Sequence, residues 1–553
     1  MIKRAIPALF MPLLVATHLS AAPPPIASDA EIRRILVDRI DAQKQGVGIV
    51  VGVIEPSGRR IVAYGSADRD DQGPLDGDTV FEIGSVTKVF TSLLLADAVQ
   101  RGEVALGDPV SKYLPAGTKV PDHGGKPIRL VDLSTHTSAL PSLPSNLTPK
   151  DPRNPYADYT VAQLYEFLAA YELPRDPGAQ YAYSNLGAGL LGHVLALRTG
   201  MDYETLVRRR ITGPLSMKST SIALSDSMRK RLAAGHDAQR RRAANWDFPT
   251  LAGAGALRST ANDLLNFLSA NLGRTPTPLA PAMASMLATR RPTTKPRMQV
   301  ALGWHIITAD DGRELVWHNG GTGGYRSFVG FDPKNRTGVV VLSNMNTNEG
   351  VDDIGRHLLD PSAPLVQPRR EVAVDPKVLE RYVGLYELAP KMIFSITRDG
   401  NHLYAQLTGQ PKLEIFAENE KTFFYKVVDA QITFEDDGLI LHQNGDHRAK
   451  RIEGSPAAPK ERKAIAVDPA VLQRYVGKYQ LSPTFVVNIT REDNRLFAQA
   501  TAQPRFEIFP ETDHDFFLEA VDAQITFVTD GTGRVTKAIL HQNGMDQEAK
   551  RIE

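Results

Sequence analysis

The sequence predicts an α/β (α+β) domain, one sheet packed against helices, followed by two small all-β domains. Three observations carry this. β-rich runs stand near the start and near residue 340, with helical patterns between them. Beyond residue 364 the composition changes and the chain repeats itself. The 553 residues are 42% apolar and 23% charged, ordinary for globular domains, and the length suggests two to four of them.

The elements follow in order. Residues 1–22, in "MIKRAIPALFMPLLVATHLSAAPPP", carry Lys3 and Arg4, an apolar run from Ala5 to Val15, and small residues ending at Ala21 and Ala22. This is the pattern of a secretory signal peptide, too short in its apolar part to span a bilayer, and it predicts a periplasmic or secreted protein. Pro23 leaves the cleavage point open, because proline just after the cut is disfavoured. No later segment reaches transmembrane length.

A hairpin is expected from Gly46–Ile54 and Arg60–Ala67 around a turn at Pro56–Gly58. "FEIGSVTKVFTSLLLADAVQRG", Phe81 to Gly102, reads as an amphipathic helix: Val89, Phe90, Leu93, Leu94 and Ala98 recur at helical spacing, and Gly102 is a stop signal. The stretch from Pro115 to Pro177 is rich in Pro, Thr and Asp, with a helical piece at Val161–Tyr171. Helices are predicted over Leu186–Arg198 and Ala261–Leu272, and a strand pair over Leu315–Asn344. The first domain is placed at 28–364.

The remainder is a tandem repeat, 371–453 and 464–553. "VDPKVLERYVGLYEL" from Val374 matches "VDPAVLQRYVGKYQL" from Val467, and "AKRIE" closes both copies. Two strand-rich copies of this length predict two separate β domains rather than a solenoid. Residues 454–463, "GSPAAPKERK", read as a linker. His442 and His541 recur with the repeat, have no acid or nucleophile motif beside them in sequence, and read as structural.

Composition narrows the function. A net charge of +1 gives no sign of a nucleic-acid partner. The absence of cysteine excludes disulfides, thiol catalysis, cysteine-ligated zinc and a lipoprotein anchor. The thirteen histidines show no ligand spacing, and there is no H-E-x-x-H, so no metal or cofactor is expected. No serine sits in a G-x-S-x-G elbow.

Ser85 and Lys88 stand three apart on the predicted helix, so their side chains meet on one face. A buried amine tends to lose its proton, and a neutral amine beside a hydroxyl is a base beside a nucleophile. A helix cap followed by a surface lysine would look the same in sequence. Two further motifs add to the pair. "PGAQYAYSNLGAGLLG" places Tyr183, Ser184 and Asn185 at a loop-to-helix junction; a tyrosine near a cationic lysine can have its pKa lowered and relay a proton, and an asparagine amide can hold the lysine and a substrate carbonyl. "HNGGTGGY" places His318 on a predicted strand, with Gly320 and Gly321 letting a substrate approach its edge. The Gly321 N–H would pair with that of Ser85 as an oxyanion hole. Tyr325 and Arg326, just past the glycines, either shape the cleft or pack the strand.

With these motifs in this order, the chain resembles the serine β-lactamase and penicillin-binding protein superfamily, in its class C–like branch. S-x-x-K, Y-x-N and H-x-G match, and "DLSTHTSALP" at Asp132, "GAGALRSTANDLLNF" at Gly253, "ALGWHI" at Ala301 and "VVVLSN" at Val339 support the match, over roughly residues 30–360. The resemblance implies an antiparallel sheet flanked by helices plus a helical subdomain. It makes Ser85 the acyl-enzyme nucleophile, gives Lys88 and Tyr183 the acid and base work, has Asn185 orient lysine and substrate, puts His318 and Gly320 in the third motif on the cleft strand, and makes Gly321 the second oxyanion donor. His136 takes a structural role on a turn.

His318 departs from the K-T-G of class C β-lactamases, where lysine would be a fixed cation; a histidine is mostly neutral at pH 7 unless a neighbour raises its pKa. H-x-G looks more like D-alanyl-D-alanine carboxypeptidases and D-aminopeptidases, and two β domains after the hydrolase are similar in layout to the latter. The expectation is a serine peptidase acting on a small peptide, with D-residues among its substrates. The alternatives are a promiscuous esterase or weak β-lactamase, and a non-catalytic penicillin- or ligand-binding protein.

Overall fold

The computed structural model describes residues 26–552, apart from 71–72, 74, 348, 367–368, 370, 390–391, 409, 427–429, 444–445, 455–463, 483–484, 502–504, 519–522 and 543–544. The signal segment, and all of the linker except Gly454, lie outside the described residues. Among the described residues no helix is long and apolar enough to cross a membrane.

The first part is built on an eight-stranded sheet. Helix α1 (Asp29–Val37) leads into strands β1 (Gly48–Glu55) and β2 (Gly58–Gly65), then helices α2 (Thr87–Gln100), α3 (Val161–Ala170), α4 (Asn185–Thr199) and α5 (Ala261–Asn271). Six strands follow: β3 (Arg291–Pro292), β4 (Met298–Val300), β5 (His305–Thr308), β6 (Glu314–Gly321), β7 (Arg326–Asp332) and β8 (Thr337–Ser343). Helix α6 (Asp352–Leu359) closes the unit. The strand order is β2–β1–β8–β7–β6–β5–β4–β3, and every pairing is antiparallel. The early hairpin is thus completed by the late strands. The region expected to hold a strand pair holds three strands, because a second turn at Pro333–Arg336 lets Thr337–Ser343 fold back onto β1.

Both faces of the sheet are covered. In β1, Val50 and Ile54 join the large core beneath α2 and α5, while Ile49, Val51 and Val53 join a second core beneath α1 and α6. This alternation is the two-residue period of a strand buried on both sides. Arg39, just past α1, and Asp353 on α6 form a bidentate ion pair in the second layer, each about 2% exposed. Asp353→Ala would leave the guanidinium buried and unpaired. It should lower unfolding free energy by about 3–5 kcal/mol, which urea denaturation would measure.

α2 differs from its sequence reading. It is not amphipathic: every residue from Thr87 to Ala98 is buried. Its polar side chains bond inward, Thr91 to the Gly253 carbonyl at 2.8 Å and to the Tyr203 hydroxyl at 2.6 Å. The helix runs through the core of the first domain, so it is buried on every side.

Each repeat forms a closed eight-stranded barrel with its own core, from Gly384–Ala389 to Asp446–Ile452 and from Gly477–Ser482 to Met545–Arg551. A short helix precedes each, Pro376–Tyr382 and Pro469–Tyr475, capped by Asp375 and Asp468. Tyr382 stacks on Phe434, and Tyr475 on Phe527. His442 and His541 do have acids beside them in space. His442 bonds Asp446 and Thr433, and His541 bonds Asp546 and Thr526. Thr526 donates its one hydroxyl proton to Asp515 and therefore accepts from His541. The string in the second barrel is a cross-strand bridge, not an activated nucleophile.

Candidate active site

Ser85 sits where the chain turns into α2. Phe81–Glu82 pair with Arg258–Ser259, Gly84–Val86 form a single 3₁₀ turn, and the α-helix begins at Thr87. In the run Phe81–Phe90 every residue is buried except Ser85, which opens outward. The turn requires glycine at 84. Its φ is +48°, and a Cβ there would come 2.7 Å from the nitrogen and oxygen of Gly321. Gly320 is equally confined, since a Cβ would meet the Ile83 oxygen at 2.1 Å and the Ser85 nitrogen at 2.9 Å. These close approaches bring the backbone of Gly320–Gly321 against that of Gly84–Ser85.

Lys88, 2% exposed, has three oxygen partners: Ser85 Oγ at 2.9 Å, Asn185 Oδ1 at 2.7 Å and the Ala254 carbonyl at 2.7 Å. Burial pushes its pKa far below the ordinary lysine range. A neutral amine has two N–H bonds and one lone pair. Asn185 Oδ1 and the Ala254 carbonyl are obligate acceptors and take the two N–H bonds, which leaves the lone pair facing the Ser85 hydroxyl.

Tyr183 and Asn185 reach the same point from the start of α4. Ser184 caps that helix by accepting from the Gly187 N–H, and its own N–H donates to His136 Nδ1 at 3.2 Å. The His136 ring packs 4.4 Å from that of Tyr183, and Lys88 Nζ lies 4.9 Å from the Tyr183 ring. His136 thus holds the Tyr183 loop from a left-handed turn, φ +55°. The sequence reading allowed a lowered Tyr183 pKa, and the structure reverses it. Burial raises it, and the hydrogen bond with Ser85 offsets this only in part, because a neutral Lys88 brings no cation to the phenol.

His318 lies on β6, buried, with Nδ1 2.6 Å from the Asn319 carbonyl, so Nδ1 carries the proton. Its Nε2 is a buried acceptor with no hydrogen-bond partner among the described residues. Burial pushes its pKa well below the ordinary histidine range. β5 pairs with β6 only as far as Trp317. From His318 to Gly321 the edge of β6 beside Ser85 is therefore free of β5.

Several neighbours were not legible as site residues. The Ala254 carbonyl, Tyr156, Tyr181 and His305 have no local motif. Tyr156 faces Asn185 Nδ2 at 3.4 Å, and His305 Nε2 lies 3.0 Å from the Tyr181 hydroxyl. Burial holds His305 down to about 4. "ALGWHI" marked its strand without marking the side chain. Of the residues past the glycines, Tyr325 is core: it is 1% exposed and its hydroxyl donates to the Ala233 carbonyl.

An antiparallel sheet between helical layers, with a serine–amine pair heading its central helix, defines the class: this is a serine hydrolase. Residues 34–361 match the model of the Beta-lactamase family, and the chain belongs to that family. Residues 368–444 and 461–552 match the Domain of unknown function (DUF3471). The D-alanyl-D-alanine-carboxypeptidase/endopeptidase AmpH of Escherichia coli (strain K12) is 31% identical over 65% of this chain and 98% of its own. A Beta-lactamase of Pseudomonas fluorescens is 28% identical over 57% and 94%. The crystal structure of a Beta-lactamase/D-alanine Carboxypeptidase from Yersinia pestis complexed with citrate superposes with a TM-score of 0.52 at 25% identity, over 61% of this chain and 99% of its own. Family membership sets aside the non-catalytic reading.

Proposed function

We propose that the protein is an exported serine peptidase that cleaves short peptides, including those with D-residues, through an acyl-enzyme on Ser85. The observation that carries the chemistry is Lys88 Nζ at 2.9 Å from Ser85 Oγ, with its other two contacts taken by obligate acceptors. Lys88 takes the Ser85 proton as Oγ attacks the scissile carbonyl. The N–H groups of Ser85 and Gly321 receive the oxyanion. Tyr183, kept protonated by its raised pKa, gives its proton to the leaving nitrogen as the C–N bond breaks, and the proton on Lys88 replaces it. Water then releases the acyl group by the reverse transfers. Asn185 fixes the amine through Oδ1.

A peptide is favoured over a β-lactam by the neutral His318 where class C β-lactamases have lysine, and by the carboxypeptidase/endopeptidase relative. Export rests on the composition of residues 1–22. The barrels are assigned to the rim of the cleft or to assembly. The beta-lactamase relatives favour a second reading, ester or β-lactam hydrolysis. A panel of D-aminoacyl p-nitroanilides, p-nitrophenyl esters and nitrocefin separates the two. The peptidase reading expects saturable anilide turnover with nitrocefin the poorest substrate. Nitrocefin turned over more than about tenfold faster than every anilide would replace it with the second reading.

The pH profile follows from the two shifts. Activity needs Lys88 without its proton and Tyr183 with it. The acidic limb of kcat/KM should therefore lie well below the ordinary lysine range, and activity should persist through the ordinary tyrosine range, because burial lifts Tyr183 above it. Tyr183→Phe should lower kcat by about 100-fold or more. A kcat within about tenfold of native would take Tyr183 out of proton transfer.

A further inference from the structure

The oxyanion donor sits on a strand end that one neighbour has left. Beyond Trp317, β6 is paired with β7 alone, because its pairing with β5 stops there. A strand end held along one edge opens more readily than one held along both. The Gly321 N–H must nevertheless keep a fixed place beside that of Ser85. Alternation along β6 and β7 gives the two faces of this end different neighbours. Gly320 and Ser327 turn toward the nucleophile: a Cβ on Gly320 would meet the Ile83 oxygen and the Ser85 nitrogen, and the Ser327 hydroxyl donates to the Ile83 carbonyl at 2.8 Å. Asn319 and its cross-strand partner Phe328 turn to the opposite face, where Phe328 belongs to the core beneath α1 and α6.

α6 covers that face and is itself fixed. Gly355 lets it press onto β7, since a Cβ there would lie 2.1 Å from the Phe328 ring. Arg39 holds Asp353 bidentately. One residue earlier, the Asp352 carboxylate accepts a hydrogen bond from the Asn319 amide. Among the described residues this is the only side-chain hydrogen bond that joins His318–Gly321 to another element. Burial raises the Asp352 pKa to about 6, against the opposing pull of Arg356, the Asn319 bond and Arg326, so the group is ionised at neutral pH. An ionised carboxylate only accepts, so the amide nitrogen of Asn319 faces it, and such a charge-assisted bond is stronger than a neutral one.

We propose that Asn319 and Asp352 are positioning residues, whose hydrogen bond ties the free end of β6 to α6 from the face opposite Ser85 and so holds the Gly321 N–H in place for the oxyanion. This goes beyond the acyl-enzyme reading and rests on it for the role of Gly321. Neither side chain touches the substrate or exchanges a proton with it. The tie acts on the limiting rate of acylation, where the oxyanion forms, and not on the binding of the ground state.

The test uses the full chain at neutral pH. Asn319→Ala and Asp352→Ala are compared with the native protein in two measurements. One is acylation of Ser85 over a range of penam concentrations, followed by mass spectrometry. The other is hydrogen–deuterium exchange of the peptide that contains His318–Gly321. Each variant should lower the limiting acylation rate by about 10- to 100-fold, leave the half-saturating concentration within about threefold of native, and speed exchange in that peptide. The swapped pair Asn319→Asp/Asp352→Asn, which keeps an amide facing a carboxylate, should recover most of the rate. Native rate and native exchange in both single variants, or a swapped pair as impaired as Asn319→Ala, overturn the tie. Faster exchange in both single variants, when the native chain is never acylated by the penam, keeps the tie and removes the acyl-enzyme reading. A melting curve matching the native one shows that Asp352→Ala is folded; if it is not, Asp352→Ser is read by the same rate and exchange.

Discussion

Ser85→Ala should abolish turnover of every acyl substrate, with a loss on the order of a million-fold in kcat. The serine is the one residue of Phe81–Phe90 that opens to the cleft, and its Oγ is 2.9 Å from a buried amine. Removing the hydroxyl leaves Lys88 bonded to Asn185 and the Ala254 carbonyl, and it touches neither the Gly84 turn nor the packing of α2. Thermal melting should therefore match the native protein while steady-state turnover disappears. Turnover within about tenfold of native, in a variant that melts at the same temperature, would show that another group is the nucleophile.

Lys88→Arg should be nearly as damaging, lowering kcat/KM by about 1,000-fold or more. The native amine reaches neutrality because it is buried and lies against two carbonyl oxygens that accept its remaining protons. A guanidinium cannot surrender its proton, so a fixed charge replaces the neutral amine and basicity is lost. Lys88→Met, which removes the base without adding a charge, supplies the control. If the step needs a base, the two variants should be similarly inactive in single-turnover acylation. If Lys88→Arg keeps most of the native rate while Lys88→Met loses it, Lys88 acts as an electrostatic anchor and the proton goes elsewhere.

The three motifs were legible because each is local. Ser85 and Lys88 are one helical turn apart, Tyr183-Ser184-Asn185 is a cap and its helix start, and His318–Gly321 is the end of one strand. The repeat was legible because its copies could be aligned. What could not be read is what the chain contributes from far away. The Ala254 carbonyl donates no signal to a sequence pattern, since any residue has one, yet it is half of the reason that the Lys88 lone pair faces Ser85. The burial of α2 on all sides depends on what packs behind it. The third late strand was hidden because Val339–Ser343 pairs with β1, nearly three hundred residues away in the chain. Tyr325 and Arg326 were indistinguishable in sequence as cleft or packing residues. Only burial and bonding separate them: Tyr325 is sealed into the core by Ala233 and Asn245, while Arg326 Nε has no hydrogen-bond partner among the described residues.

The most direct test of the central claim, a covalent acyl-enzyme on Ser85, is the mass of the protein quenched with acid during turnover. The full chain is mixed with an acyl-D-alanyl-D-alanine peptide or a penam, stopped within the first turnovers, and mapped after proteolysis. The account predicts one added acyl group, located on the peptide that contains Ser85 and absent from Ser85→Ala. An adduct on any other residue, or continuing turnover with no adduct at any quench time even when release is slowed, would contradict it.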